Sequence, residues 1–103
     1  MHDAAPIYAG KTRVRVDITT SKAERPSRPV DPTTLTVTFT NGTSSGVYAW
    51  PDAGDDGLVA RSADGTFNVA HVPAEAGDWR WIAEASGDVE NVTVGAFTVV
   101  AAP

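Results

Sequence analysis

Side chains suited to catalysis are few in this sequence. The two histidines are His2, near the start of the chain, and His71, inside the alternating stretch TFNVAHV. His71 stands close to Val69 and Val72, and a lone strand histidine in such a setting is more often packed and hydrogen-bonded than a general base. No glycine-rich phosphate loop precedes a helical segment. Nucleophilic catalysis and phosphate transfer are therefore not expected.

Three carboxylates cluster in the segment DAGDDG, at Asp52, Asp55 and Asp56. Calcium takes several oxygen ligands, often from loops of this kind. The spacing departs from the calcium-loop pattern D-x-[DN]-x-[DN]-G, and no glutamate follows where the bidentate ligand would stand. A solvated turn that keeps a sheet edge soluble is the favoured interpretation, and calcium binding is the alternative. The absence of cysteine excludes disulfides, thiolate catalysis and cysteine-based zinc sites. No cofactor is expected.

Aromatic side chains are the remaining candidates for a binding site. Tyr48 and Trp50 share one face of the short stretch GVYAW, and Trp79 and Trp81 share one face of DWRWIAEA. An outward pair would form an adhesive patch for protein or carbohydrate, whereas an inward pair would fill a core. A small sandwich needs large side chains between its sheets, so at least one of Trp79 and Trp81 is expected inside. Trp50 is the stronger candidate for partner contact, because it precedes Pro51 at a strand end.

Alternation of apolar and polar residues indicates that strands position all of these side chains. Five stretches alternate with a period of two: TRVRVDIT, TLTVTFT, TFNVAHV, DWRWIAEA and GAFTVVA. Weaker candidates are GVYAW, GLVARS and VENVTV. Turn signals such as Asn41-Gly42 separate them, and no apolar stripe of helical period has a useful length. The pattern predicts an all-β fold, with a two-sheet sandwich favoured over a small barrel.

The length and charge of the chain limit the number of domains and the classes of binding partner. The 103 residues fit one domain, which we place at residues 12–101, with an N-terminal arm at 1–11 and a proline-rich loop at 21–32. Six of the eight basic residues lie within the first 28 positions, among them Arg25 and Arg28. A solvated strand and loop is the favoured interpretation of this polarity, and contact with an acidic partner is the alternative. The net charge of −5 argues against nucleic acid. The short apolar runs exclude a membrane-spanning helix, and the N-terminus lacks a signal-peptide pattern.

The segment DGTFNVAHVPAEAGDWRW resembles a motif of filamin-type and bacterial immunoglobulin-like repeats, D-G-T-[YF]-x-V-x-[YF]-x-P-x-x-x-G-x-[YW]. His71 stands where that family usually has an aromatic residue. The matching positions are Asp64, Gly65, Thr66, Phe67, Val69, Pro73, Gly77 and Trp79. The resemblance implies a single immunoglobulin-like β-sandwich of about seven strands. It also implies that Phe67, Val69, Trp79 and part of Trp81 fill the core, while Pro73 and Gly77 turn the chain.

Most of the chain is similar to small immunoglobulin-like virion proteins of actinobacterial tailed phages. The stretches that carry this resemblance are IYAGKTRVRVDIT, PVDPTTLTVTF and GAFTVVAAP, although SKAERPSRPVD replaces a shorter turn. The resemblance implies a non-enzymatic structural protein without a cofactor. A capsid decoration or head accessory protein, present in many copies on the major capsid protein, is the favoured role. Alternatives are a tail, neck or baseplate protein, or a carbohydrate or cell-surface adhesion module.

The same resemblance implies where the protein acts and how it binds. It would be made in the host cytoplasm and incorporated at the capsid surface of the virion, without nucleic-acid or membrane partners. Such proteins contact their neighbours through loops, edge strands and terminal arms. The partner-binding residues expected on this basis are Tyr8, Arg25, Arg28, Tyr48 and Trp50.

Overall fold

A computed structural model describes residues 6–21, 29–87, 89 and 91–102. Arg25 and Arg28 lie outside the described residues. Within the described part the chain forms strands and turns, and no helix long and apolar enough to cross a membrane is found. The strands are β1 (Val14–Thr19), β2 (Thr34–Thr40), β3 (Ser45–Trp50), β4 (Gly57–Leu58), β5 (Ala60–Ala63), β6 (Thr66–His71), β7 (Gly77–Ser86) and β8 (Asn91–Val99).

The strands form two sheets that pack as an immunoglobulin-like β-sandwich. One sheet has the order β1-β6-β5 and the other the order β4-β3-β2-β7-β8. Neighbouring strands are antiparallel except for the short parallel pair β3–β4. The prediction of an all-β sandwich is thus confirmed, with eight strands where about seven were expected.

The additional strand arises because GLVARS divides between the two sheets. Gly57 and Leu58 pair with β3, whereas residues from Ala60 onward pair with β6. Val59 stands between them and is fully buried. The chain therefore crosses from one sheet to the other at Val59, whose side chain fills the space between them. The stretches VENVTV and GAFTVVA, predicted as two separate strands, instead form one, because most of both lies in β8.

The core lies between the inner faces of the two sheets and follows the period-two alternation. Every strand from β1 to β3 and from β6 to β8 places alternate side chains toward it, and burial of each large apolar side chain contributes about 1.5–3 kcal/mol. The buried cluster comprises Val16, Ile18, Leu35, Val37, Phe39, Val59, Phe67, Val69, Trp79, Ala83 and Val99. Phe67, Val69 and Trp79 therefore lie in the core.

The two described ends of the proline-rich loop are joined to each other. Ser21 and Pro29 form an antiparallel bridge, and the Val30 amide donates to the Thr20 carbonyl at 3.1 Å. Thr20 is fully buried, and its hydroxyl donates to the Val30 carbonyl at 2.7 Å. The described ends of the loop are thus anchored to the sandwich.

Candidate interaction surfaces

The outer face of the five-stranded sheet is more apolar than its counterpart on the smaller sheet. Even-numbered residues of β8 point outward, because odd-numbered Phe97 and Val99 pack into the core. Val92 and Val94 are consequently 72% and 67% exposed, and Leu58 at the opposite edge is 54% exposed. Val92 and Val94 are neighbours on this face, and adjacent exposed aliphatic side chains of this kind are typical of a surface that another molecule covers.

A continuous row of β-branched side chains crosses this outer face. In the strand registers Val94 pairs with Ile82, Ile82 with Thr38, and Thr38 with Val47. We call these four residues the central row. Arg80 lies on one side of it and Glu84 on the other, and both are exposed. The surface therefore combines an apolar centre with one positive and one negative group, which would orient a partner.

Tyr48 and Trp50, expected as partner-binding residues, face inward instead. They pair with Val37 and Leu35 on β2, whose side chains are buried in the core. The Trp50 ring lies 5.0 Å from the Phe67 ring in an edge-to-face arrangement. Both aromatic side chains remain half-buried, so they close the margin of the core and do not form an outward platform.

His71 is packed and hydrogen-bonded, as its sequence setting predicts. Its ring stacks on Phe39 with a centroid distance of 5.0 Å, and its Nδ1 lies 2.8 Å from the Tyr48 hydroxyl. Gly46 makes room for the ring, because an added Cβ would lie 2.6 Å from the imidazole Cε1. The histidine thus takes the place of the aromatic residue usual in the motif, and its polar edge is satisfied by Tyr48.

Burial governs the protonation of this pair. Desolvation lowers the pKa of His71 below its ordinary value of 6.5, and the nearby Asp56 carboxylate opposes that shift. Desolvation, reinforced by Asp56, raises the pKa of Tyr48 above 10.0. A protonated tyrosine hydroxyl therefore donates to a neutral imidazole. The Nδ1 atom of His71 already accepts this hydrogen bond, so the imidazole serves packing and not proton abstraction.

The acidic loop is organised by backbone contacts. The Asp56 carboxylate accepts a hydrogen bond from the Val47 amide at 2.6 Å, while Asp52 and Asp55 are exposed. The described residues contain no group of three or more His, Cys, Asp or Glu side chains that could hold a metal ion. The exposure of Asp52 and Asp55 is that of a solvated turn.

Two further carboxylates share one guanidinium at the other end of the sandwich. Arg61 Nε lies 3.0 Å from both Asp31 carboxylate oxygens, and its Nη2 donates to Asp64. The Gly65 amide also donates to Asp31, at 2.8 Å. The Arg61 and Gly65 hydrogen bonds lower the pKa of Asp31 below 3.8, so it stays ionised at neutral pH. The group acts as a clamp between the proline-rich loop and the β5–β6 turn, and the ionised Asp31 does not supply the protonated carboxyl that acid catalysis requires.

A serine in the β2–β3 turn has the spacing of a nucleophile motif but a different setting. The segment GTSSG, residues 42–46, fits G-x-S-x-G with Ser44 at its centre. That motif requires a sharp turn from a strand into a helix, whereas Ser44 leads from one hairpin strand to the next. Its amide donates to the Asn41 side chain and its hydroxyl to Glu75. Ser44 therefore stabilises the turn.

A shallow depression of about 310 Å³ lies between this turn and the start of β7. Its charged lining residues are Asp78 and Arg80, which have opposite signs. The Asp78 carboxylate also accepts a 3.4 Å hydrogen bond from the Thr98 hydroxyl. A pair of carboxylates, as glycosidic cleavage requires, is not present in this lining.

The corner before β7 orients its two tryptophans differently. Pro73 is fully buried, and Gly77 begins β7 with a φ of 132°, a conformation that disfavours other residues. Trp79 is 2% exposed, and its indole N–H donates to the Glu75 carbonyl at 2.9 Å. Trp81 is half-buried, and its indole covers Gly95 on β8, where any Cβ would overlap it.

Tyr8 lies where the first described residues join the sandwich. It forms a parallel bridge with Val100, and the Ala9 amide donates to the Val100 carbonyl at 2.9 Å. The Gly10 amide donates to the Pro73 carbonyl at 2.7 Å. From Ile7 onward, the segment expected as an arm is therefore held against the end of β8.

Comparison with known proteins adds information on the fold. No family model and no curated protein matches this chain. A similar solved structure is that of a Bacteroides vulgatus ATCC 8482 protein described as a "putative glycoside hydrolase". It is 22% identical, with a TM-score of 0.57, and the match covers 88% of this chain but 15% of that protein. This likeness supports the sandwich fold alone.

Proposed function

We propose that this protein is a non-enzymatic structural component of a phage virion. In its favoured role it decorates the capsid by binding the major capsid protein with the outer face of the five-stranded sheet. The observation that carries the proposal is the exposure of Val94 and Val92, at 67% and 72%, at the β8 end of this face, where Val94 continues the half-buried side chains of the central row. Covering such side chains is favourable by about 25 cal/mol for each Å² of apolar surface removed from water.

The arrangement of titratable groups supports a binding role over catalysis. His71 is committed to Tyr48, and Asp31 and Asp64 are tied to Arg61. The similarity to phage virion proteins supplies the biological setting. A tail, neck or baseplate location would use the same domain, so it is the alternative that binding experiments must separate. The adhesion alternative gains less support, because Tyr48 and Trp50 pack toward the core.

Co-sedimentation tests the proposal. Purified protein is mixed with emptied heads and with isolated tails of the phage whose genome carries its gene. We expect saturable binding to heads, weakened by about tenfold or more in Ile82→Glu, because the new charge falls in the middle of the apolar row. The matched control is Arg15→Gln on the exposed face of β1, which also changes the net charge by one negative unit. Control and wild type should bind alike.

Two results would count against this role. Absence of binding to either particle would contradict a virion function. Binding to tails but not heads would replace decoration by the tail alternative. Melting temperatures of both variants, compared with wild type, establish that lost binding does not reflect lost folding.

A further inference from the structure

Strand β8 has an open backbone edge on the side away from β7. The Val100 amide donates to the Ile7 carbonyl at 2.8 Å, so peptide groups at Val100 point to this open side. Peptide groups in a strand alternate in direction, and β8 pairs with β7 without a register shift. The same side therefore receives the N–H and C=O groups of Val92, Val94, Ala96 and Thr98. Within the described residues nothing pairs with this stretch of edge.

The other sheet edges carry features that discourage strand addition, and β8 does not. β1 exposes Arg15 and Asp17, β5 carries Arg61, and β4 has only two residues. The nine residues of β8 include no charged residue and no proline. Natural proteins protect exposed edges with charges, prolines or short strands. A long edge without such protection indicates that another strand covers it.

We infer that this strand is β8 of a second copy of the chain, paired antiparallel about a twofold axis. The two five-stranded sheets would then form one continuous sheet. Charge favours a second copy over an unrelated charged strand. Each chain carries a net charge of −5, yet no charged residue follows Glu90, so two copies can meet along β8 without opposing like charges.

The length of the open edge fixes the register. It runs from Val92 to Thr98, because Ile7–Ala9 occupies the edge at Val100. Pairing this whole stretch with itself places the axis at Gly95. Val92 then lies opposite Thr98 of the second copy, and Val94 lies opposite Ala96 of the second copy. All four residues direct their peptide groups at the open edge, so each opposed pair can exchange two hydrogen bonds.

Gly95 and Trp81 give the axis a specific structure. The Trp81 indole lies over Gly95, where no other residue would leave it room. In the paired form the two indoles would approach each other across the axis, on the inner face of the joined sheet. Aromatic pairs whose ring centroids lie about 4.5–7 Å apart add to the stability of an interface. This arrangement also accounts for an indole that is left half-buried in one copy.

Sedimentation velocity over a concentration series tests the inference with purified chain alone, independently of any capsid. We expect reversible dimerisation at protein concentrations up to about 1 mM. Val94→Pro removes an N–H that points to the open edge and leaves pairing with β7 intact. Two hydrogen bonds are lost across the symmetric interface, each worth about fivefold, so the dissociation constant should rise by about 25-fold. The control Val94→Thr keeps the N–H and a β-branched side chain, and should stay within about threefold of wild type.

Engineered cysteines test the register, since the natural chain has none. A mixture of Val94→Cys chains and Ala96→Cys chains should form mixed disulfides, because directly opposed Cα atoms lie within bridging distance. Val94→Cys chains alone should cross-link much more slowly. Equal rates would overturn the axis at Gly95.

Amide hydrogen exchange separates the second copy from other occupants of the edge. The amides of Val92, Val94, Ala96 and Thr98 should be protected at high concentration and exchange rapidly on dilution. A monomer with these amides protected at every concentration would mean that the chain's own residues 1–5 cover the edge, which overturns the inference. A monomer with rapid exchange throughout, or a Val94→Pro dimer as tight as wild type, would overturn it equally. None of these outcomes bears on capsid binding, so the two proposals fail separately.

Discussion

Replacing each of the paired tryptophans of β7 separates a fully buried core residue, Trp79, from a half-buried residue at the margin of the core, Trp81. Trp79 is 2% exposed, and its ring stacks on Phe97 with a centroid distance of 6.3 Å and an interplanar angle of 12°. Trp79→Ala deletes this buried ring, which typically costs about 3–5 kcal/mol of unfolding free energy. Loss of the indole hydrogen bond to Glu75 adds about 1 kcal/mol. We expect a total loss of about 4–6 kcal/mol.

Trp81→Ala provides the matched comparison. It removes the same side chain two positions along the strand, but from a half-buried site above Gly95. The loss should be about half of the buried-ring value, about 1.5–2.5 kcal/mol. Since total stability of such domains is about 5–15 kcal/mol, Trp79→Ala could leave little folded protein. Trp79→Phe therefore serves as a graded variant that keeps a ring, and it should cost about 1–2 kcal/mol.

Urea unfolding followed by circular dichroism measures these differences. The slope of unfolding free energy against urea should stay near that of wild type, so that shifts in midpoint report stability. The assay is run at micromolar concentration, where association contributes least. The packing described above requires Trp79→Ala to lose the most unfolding free energy, and Trp81→Ala to lose less but still measurably more than none. A Trp79→Ala variant within about 0.5 kcal/mol of wild type, or one more stable than Trp81→Ala, would refute it.

Three further predictions concern the polar contacts around the core. Gly46→Ala should displace the His71 ring from Phe39, because the added Cβ would overlap the imidazole. We expect a loss of about 1–3 kcal/mol of unfolding free energy, measured by thermal melting. An unchanged melting temperature would contradict the packing. Because the pKa of His71 is lowered on folding, its neutral form stabilises the fold above pH 6.5, and this contribution is lost as pH falls below that value. His71→Phe should remove that pH dependence between about pH 5 and 7, whereas an identical profile would assign the titration to another group. Asp31→Asn should lower the melting temperature at neutral pH and have little effect well below pH 3.8, where the wild-type carboxyl is protonated; an equal loss at both would show that charge is unimportant in the clamp.

The sequence predicts the layers of this fold well because its clearest strands alternate apolar and polar residues. Val16 and Ile18 on β1, and Leu35, Val37 and Phe39 on β2, are buried as the alternation requires. The inward orientation of Tyr48 and Trp50 is harder to predict from the sequence, because both faces of their strand are apolar. In GVYAW, Val47 and Ala49 could fill a core as well as Tyr48 and Trp50, and register with β2 decides which pair does.

The same ambiguity makes it hard to predict from the sequence that Val92 and Val94 face outward from the five-stranded sheet. Val92 and Val94 alternate with Thr93 and Gly95, so the pattern itself indicates a strand with valines on one side. Whether that side faces the core depends on Phe97 and Val99, which require the opposite face to be inside. Reading VENVTV and GAFTVVA as one strand would have shown the conflict. The central row is less accessible to such reasoning, because it combines residues from four strands whose registers are set by long-range pairing.

The most direct test of the proposed function is cryo-electron microscopy of the phage whose genome carries this gene, compared with particles from which the gene is deleted. The account predicts density for an eight-stranded sandwich on the capsid surface of wild-type heads, with the outer face of the five-stranded sheet against the major capsid protein. That density should be missing from the deletion particles. Heads and tails indistinguishable between the two samples would contradict it.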